Sequence, residues 1–138
     1  MADILLRKGD ASAALVVARR ATSLDAGSDP RILWVLARAH AAAGDTSAAR
    51  DAAMTAWEIA DRLGFPRGQG LAAINLAHAL IHSGRTEEAE TALATAARIL
   101  GEEEWNVVGN RALLAYLRGD FTTAVAGLER AQRLAGAN

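Results

Sequence analysis

Residues Ile74 to Ala96 read INLAHALIHSGRTEEAETALATA, and this stretch decides the fold. A turn at Ser83-Gly84-Arg85 divides two alanine-rich segments, with Ala77 seven residues before the glycine, Ala89 five after it and Ala96 seven further on. The glycine suits the left-handed backbone that ends a helix, and the polar residues behind it suit the start of the next. Two antiparallel helices joined this way approach closely only where small side chains face each other.

The same signature recurs along the chain. A glycine followed by a charged residue stands at Gly9-Asp10, Gly44-Asp45, Gly84-Arg85 and Gly119-Asp120, at separations of 35, 40 and 35 residues. Alanine occupies every phased slot: Ala14, Ala49, Ala89 and Ala124 after the glycines, Ala21, Ala56, Ala96 and Ala131 beyond them, and Ala37, Ala77 and Ala112 before the last three. A period of this length is the mark of a repeat architecture.

Composition agrees. The 138 residues are 51% hydrophobic but only 4% aromatic with two prolines, a mixture that favours helix over sheet and excludes a disordered chain. A formal net charge of -1 gives no field to draw the molecule onto nucleic acid or an anionic membrane. With no cysteine, the chain has no disulfide, thiolate metal site or thiol nucleophile. Charges at Asp3, Arg7, Lys8 and Asp10 rule out a secretory signal at the start, and no later window is apolar enough to span a membrane, so a cytoplasmic location is expected.

Residue by residue, the pattern resembles the tetratricopeptide repeat. The best copy is Ile74-Asn75-Leu76-Ala77, Gly84, Ala89, Leu93 and Ala96; the second runs Leu33 to Ala37, then Gly44, Ala49, Ala53 and Ala56. A further copy keeps Asn110, Ala112, Gly119, Phe121, Ala124, Leu128 and Ala131, with Arg111 where the motif has leucine. The long, alanine-rich units are similar to those of large actinobacterial regulators. The resemblance implies an all-α, right-handed superhelical solenoid of about three and a half hairpins. It forms one domain over residues 1–138, in units of approximately 1–28 (truncated), 29–64, 65–101 and 102–138.

The expected helices are Ala2 to Lys8, Ala11 to Leu24, Pro30 to Ala43, Thr46 to Leu63, Pro66 to Ser83, Thr86 to Leu100, Glu103 to Arg118 and Phe121 to Leu134. Asp29-Pro30 is a helix start, and Leu63-Gly64-Phe65-Pro66 is a stop and restart. The extra residues of the 40-residue period are expected to lengthen the two helices around that restart. Neither end carries a polar cap of the kind a solenoid needs, so Leu5 and Leu6 at the front, and Val125, Leu128 and Leu134 at the back, are expected to leave apolar surface open.

In this repeat class the first helices line a concave groove. The slots that face it hold Arg31, Trp34, Val35, Arg38, Ala41 and Ala42 in one unit, and Leu71, Ile74, Asn75, His78, Ile81 and His82 in the next. The last unit contributes Asn106, Gly109, Asn110, Leu113, Tyr116 and Leu117. By the resemblance, Asn75 and Asn110 would hold a peptide backbone, Arg31 and Arg38 its carboxylate, and Trp34 an apolar side chain. His78 and His82, four apart, could share a metal, but no acidic slot completes a ligand set, so they read as polar groove residues and no metal or cofactor is expected. His40 reads as a packed core residue held by a hydrogen bond. Trp57 and Trp105 read as caps over helix pairs. The acidic runs at Glu87, Glu88 and Glu90 and at Glu102, Glu103 and Glu104 read as complements to helix dipoles.

No strand precedes Gly64, Gly68 and Gly70, so they are not a phosphate loop, and Ser12 and Ser83 have no phased histidine and acid. The expected function is a non-enzymatic interaction module that takes a protein or peptide in the groove. The alternatives are self-assembly into a homo-oligomer through open ends, and a regulatory segment of a larger signalling protein.

Overall fold

A computed structural model describes residues 2, 6, 9–24 and 29–137. Among the described residues, seven helices with defined bounds follow one another: α1 (Ala11–Leu24), α2 (Pro30–Ala42), α3 (Thr46–Arg62), α4 (Pro66–His82), α5 (Thr86–Leu100), α6 (Trp105–Leu117) and α7 (Phe121–Gly136). The described residues contain no strand. The expected leading helix, with Leu5, lies outside the described residues apart from Ala2 and Leu6, both of which are helical.

Turn chemistry sets the boundaries. Gly44, Gly84 and Gly119 adopt φ of +83°, +75° and +81°. The next amide in each turn donates to the carbonyl five residues back: Asp45 to His40, Arg85 to Leu80 and Asp120 to Ala115, each at 2.9 Å. These bonds satisfy carbonyls that the helix end orphans. Gly64 makes the same closure, with Phe65 N donating to Ala60 O at 2.9 Å, and Pro66 then opens α4. Aspartates cap the following helices: Asp10 accepts from Ala13 N at 2.9 Å, Asp45 from Ala48 N at 3.1 Å and Asp120 from Thr123 N at 3.2 Å. Arg85, at the same slot before α5, has no such side-chain bond and grips Glu88 instead.

Four helices end one residue earlier than expected, and boundaries depart by two residues in two places. Gly101, at φ +105°, and the turn behind it delay α6 to Trp105 rather than Glu103. The last helix runs to Gly136 rather than Leu134. The long middle period is absorbed in α3 and α4, which have 17 residues each against 13 in α2 and α6. Arg111 does not prevent α6 from forming.

The phased alanines make the core. Ala14, Ala37, Ala49, Ala56, Ala77, Ala89, Ala96, Ala112, Ala124 and Ala131 are all buried, and Ala21 is half-buried. Ala56 packs with Leu33, Ile59 and Ala72, and Ala96 with Ala73, Ile74 and Val107. Consecutive helices pack throughout, and the first helices α2, α4 and α6 also touch in succession. The second helices α1, α3, α5 and α7 do not touch one another. The chain is therefore an all-α solenoid of tetratricopeptide-like hairpins, with first helices forming a continuous inner layer and second helices standing apart on the outside. Two kinds of concavity result: a groove along the inner layer, and clefts between successive outer helices.

Candidate functional site

The inner groove encloses about 810 Å³ and is lined by Trp34, Arg38 and Ala42 of α2, by Leu71, Ile74, Asn75 and His78 of α4, and by Trp105, Asn106, Gly109, Asn110 and Leu113 of α6. Leu6 and Leu128 complete its lining. Of the residues expected to bind a peptide, Trp34, Arg38, Asn75, His78 and Asn110 come together here. Arg31, His82 and Tyr116 are not among the lining residues.

Each of those three has a local reason. The Arg31 guanidinium folds back on Asp29, with Nη2 at 2.7 Å from Oδ2, and so belongs to the cap of α2; its proximity holds the Asp29 carboxyl below the usual range. His82 is exposed, and its Nδ1 donates to the His78 carbonyl at 2.9 Å. Tyr116 stands edge-on to Phe121 at the α6–α7 turn, with ring centroids 5.5 Å apart. Ile81 and Ala41 are also withdrawn from the groove: Ile81 is buried with Leu80, Leu93 and Leu114, and Ala41 with Ala49 and Ala79.

Within the groove, Trp34 is half-buried, with its ring 6.3 Å from that of Phe65, and its buried Nε1 has no hydrogen-bond partner. An unsatisfied indole N–H is costly to keep, and a peptide carbonyl would relieve it. Asn110 Nδ2 donates to the Asn106 carbonyl at 2.8 Å, so its amide is turned along its own helix. Burial pushes the His78 imidazole below its ordinary pKa, aided by the charges of His82 and Arg38 and opposed by a hydrogen bond with Asn110. The groove at neutral pH thus presents a neutral imidazole beside the Arg38 cation. The His78 and His82 rings lie 4.3 Å apart, and among the described residues no group of three metal-ligating side chains exists.

His40 is buried as expected, but its Nδ1 makes no hydrogen bond; the Asp45 carboxylate stands 3.6 Å away. Burial lowers its pKa, with Asp45 acting in the opposite direction. The acidic runs are also more than complements to helix dipoles. Glu90 accepts from Arg118 Nη1 at 2.8 Å, Glu102 pairs with Arg111, and Glu103 pairs with Arg130. These contacts fasten α5 and the turn behind it to α6 and α7.

Equivalent slots behave differently at the last hairpin. Nine residues after the turn glycine, Ala53 and Leu93 are 0% and 1% exposed, whereas Leu128 is 52% exposed. Three residues before it, Ala41 and Ile81 are 7% and 3% exposed, whereas Tyr116 is 55% exposed. In the earlier hairpins the first helix of the next unit covers these slots, through Ala79 on Ala41 and Leu114 on Leu93. Val125 and Phe121 of α7 are exposed as well.

The outer clefts escaped the sequence reading, although Trp57 and the leucine motif slot at Leu76 were in view. The cleft between α3 and α5 encloses about 710 Å³ over a floor formed by α4, with Met54, Trp57, Leu76 and Leu80 among its lining residues. No described helix is long and apolar enough to cross a membrane.

No curated protein is detectably similar to the chain. A family model described as tetratricopeptide repeat matches residues 30–53 and 70–102. The first match begins at α2 and enters α3; the second covers most of α4, all of α5 and the turn behind it. Both matches fall in step with the hairpins, so these two stretches are similar to tetratricopeptide repeats.

Proposed function

We propose that the chain is a non-enzymatic interaction module, a single repeat domain that binds a peptide or partner protein along its inner groove. Tetratricopeptide repeats generally mediate protein–protein interaction. The observation that carries the reading is the meeting of Trp34, Arg38, Asn75, His78 and Asn110 on one concave wall. An apolar ring, an unsatisfied donor, a cation and two amides suit a segment with an apolar side chain, free backbone groups and a carboxylate. The same chemistry fits a role as a regulatory segment in a larger cytoplasmic signalling protein, in line with the resemblance to actinobacterial regulators.

A displayed random peptide library selected on the full chain tests this. Peptides that dock in the groove lose affinity for an Arg38→Gln, Asn75→Ala variant, by about tenfold or more if both contacts are made. Selected peptides that bind the variant unchanged would remove the groove from the account.

The exposure of Leu128 and Tyr116 favours a second reading, self-assembly. The covered state of the equivalent slots in the earlier hairpins supports this reading, since a first-type helix covers them there and a second copy can supply one here. Sedimentation equilibrium should then show association that Leu128→Glu abolishes; a strict monomer across micromolar concentrations speaks against it.

A further inference from the structure

The two outer clefts occupy the same repeat slots, yet differ in chemistry. In the cleft between α5 and α7, the slot held by Leu76 carries Arg111, and the slot held by Arg50 carries Glu90. Glu90 is bridged by Arg118, and Arg111 by Glu102, so the charges of that cleft are already paired within the chain. In the cleft between α3 and α5, the slot of Arg118 holds Ser83, whose hydroxyl donates to the Leu80 carbonyl at 3.0 Å. Among the described residues, no ion pair spans the mouth to Arg50. The Arg50 Nε is buried without a hydrogen-bond partner, and its Nη2 reaches only Asp51, at 3.4 Å. Nearby Arg85 is neutralised by Glu88, with bonds of 2.6 and 2.7 Å. Glu58 lines the same cleft two turns along α3 from Arg50, about 12 Å away.

We infer that this cleft docks one face of an amphipathic helix from a partner protein, with apolar side chains on Met54, Trp57 and Leu76 and a carboxylate on Arg50. The sister cleft supplies the argument from charge: there the slot across the mouth carries the countercharge, whereas here that slot holds Ser83 and Arg50 has only its exposed chain neighbour Asp51, so a carboxylate on the occupant takes the vacant place. Helical form follows from the walls. The hydroxyls of Thr91 and Thr95 are turned to carbonyls of their own helix, and the remaining walls are mainly apolar. An extended segment would leave its backbone groups unpaired there, whereas a helix satisfies them itself. Leu76 and Leu80 stand one turn apart on the floor, a row into which the i, i+4 ridge of a docking helix packs. With Arg50 at one end and Glu58 at the other, the bound helix has a fixed polarity, its acid toward Arg50 and any base toward Glu58. This surface is separate from the inner groove and leaves it free.

The test selects a displayed random peptide library on the full chain and titrates the selected peptides against Met54→Glu, Arg50→Gln and Asn75→Ala variants. Met54 is exposed, so Met54→Glu changes the cleft without touching the core, and circular dichroism confirms that each variant folds. The expected result is a class of peptides with an Asp or Glu that become helical on binding, lose about tenfold in affinity for Met54→Glu and for Arg50→Gln, and bind Asn75→Ala unchanged. Selected peptides that ignore both cleft variants, or that respond only to Asn75→Ala, overturn the inference. The second of those outcomes leaves the groove reading standing.

Discussion

An added methyl at Gly127 would stand 2.7 Å from Cβ of Ala112 and 3.5 Å from its Cα, so this glycine sets how closely α7 lies on α6. Alanine is the better helix former by about 1 kcal/mol, but overpacking against a neighbour that cannot swing away costs about 1–3 kcal/mol. Gly127→Ala is therefore expected to lower stability by about 1 kcal/mol in urea denaturation. Gly136→Ala, whose methyl meets nothing within 4 Å, is expected to be neutral or slightly stabilising. The alanine slots were legible for the same steric reason: only a small side chain fits where Ala56 and Ala96 sit, so the sequence records the constraint directly. The orientation of Arg31 was not legible. A long side chain at a helix start has both groove and cap within reach, and the choice rests on Asp29 two residues away.

Among the helices, three of the four recurring glycines that precede a charged residue are followed by an aspartate that caps the next element, and Arg85 before α5 is the exception among them. Removing the Asp45 cap leaves the Ala48 amide without its side-chain acceptor, and it also takes away the carboxylate nearest His40. Asp45→Ala is expected to cost about 1 kcal/mol, within the range measured for such caps. An unchanged urea midpoint would show that α3 is held by packing alone. Helix order and length were readable from the turn signals, including the 17-residue pair around Gly64. The difference between the outer clefts was harder to see. Leu76 and Arg111 occupy one motif slot, and its meaning depends on Glu102 in the preceding turn, Arg118 at the end of the same helix and Glu90 on another helix, all outside the motif.

For the molecule as a whole, the slots that face the next unit are the least legible part. Ile81 and Tyr116 share a position in the repeat, but one is buried under the following first helix and the other is open. A motif describes a hairpin and says nothing of which hairpin follows it. The groove, the clefts and the open face of α7 all depend on hairpins piled in one direction with their outer helices apart. That arrangement can be measured by pulsed electron paramagnetic resonance. Spin labels at Ser12→Cys on α1 and Glu129→Cys on α7 need no removal of native thiols, since the chain has no cysteine. A stack separates these outer helices by three hairpin steps, each at least the roughly 10 Å of helices in contact, so a distance of about 30 Å or more is expected. A compact bundle would bring α1 and α7 together, and a label distance under about 20 Å would contradict the account.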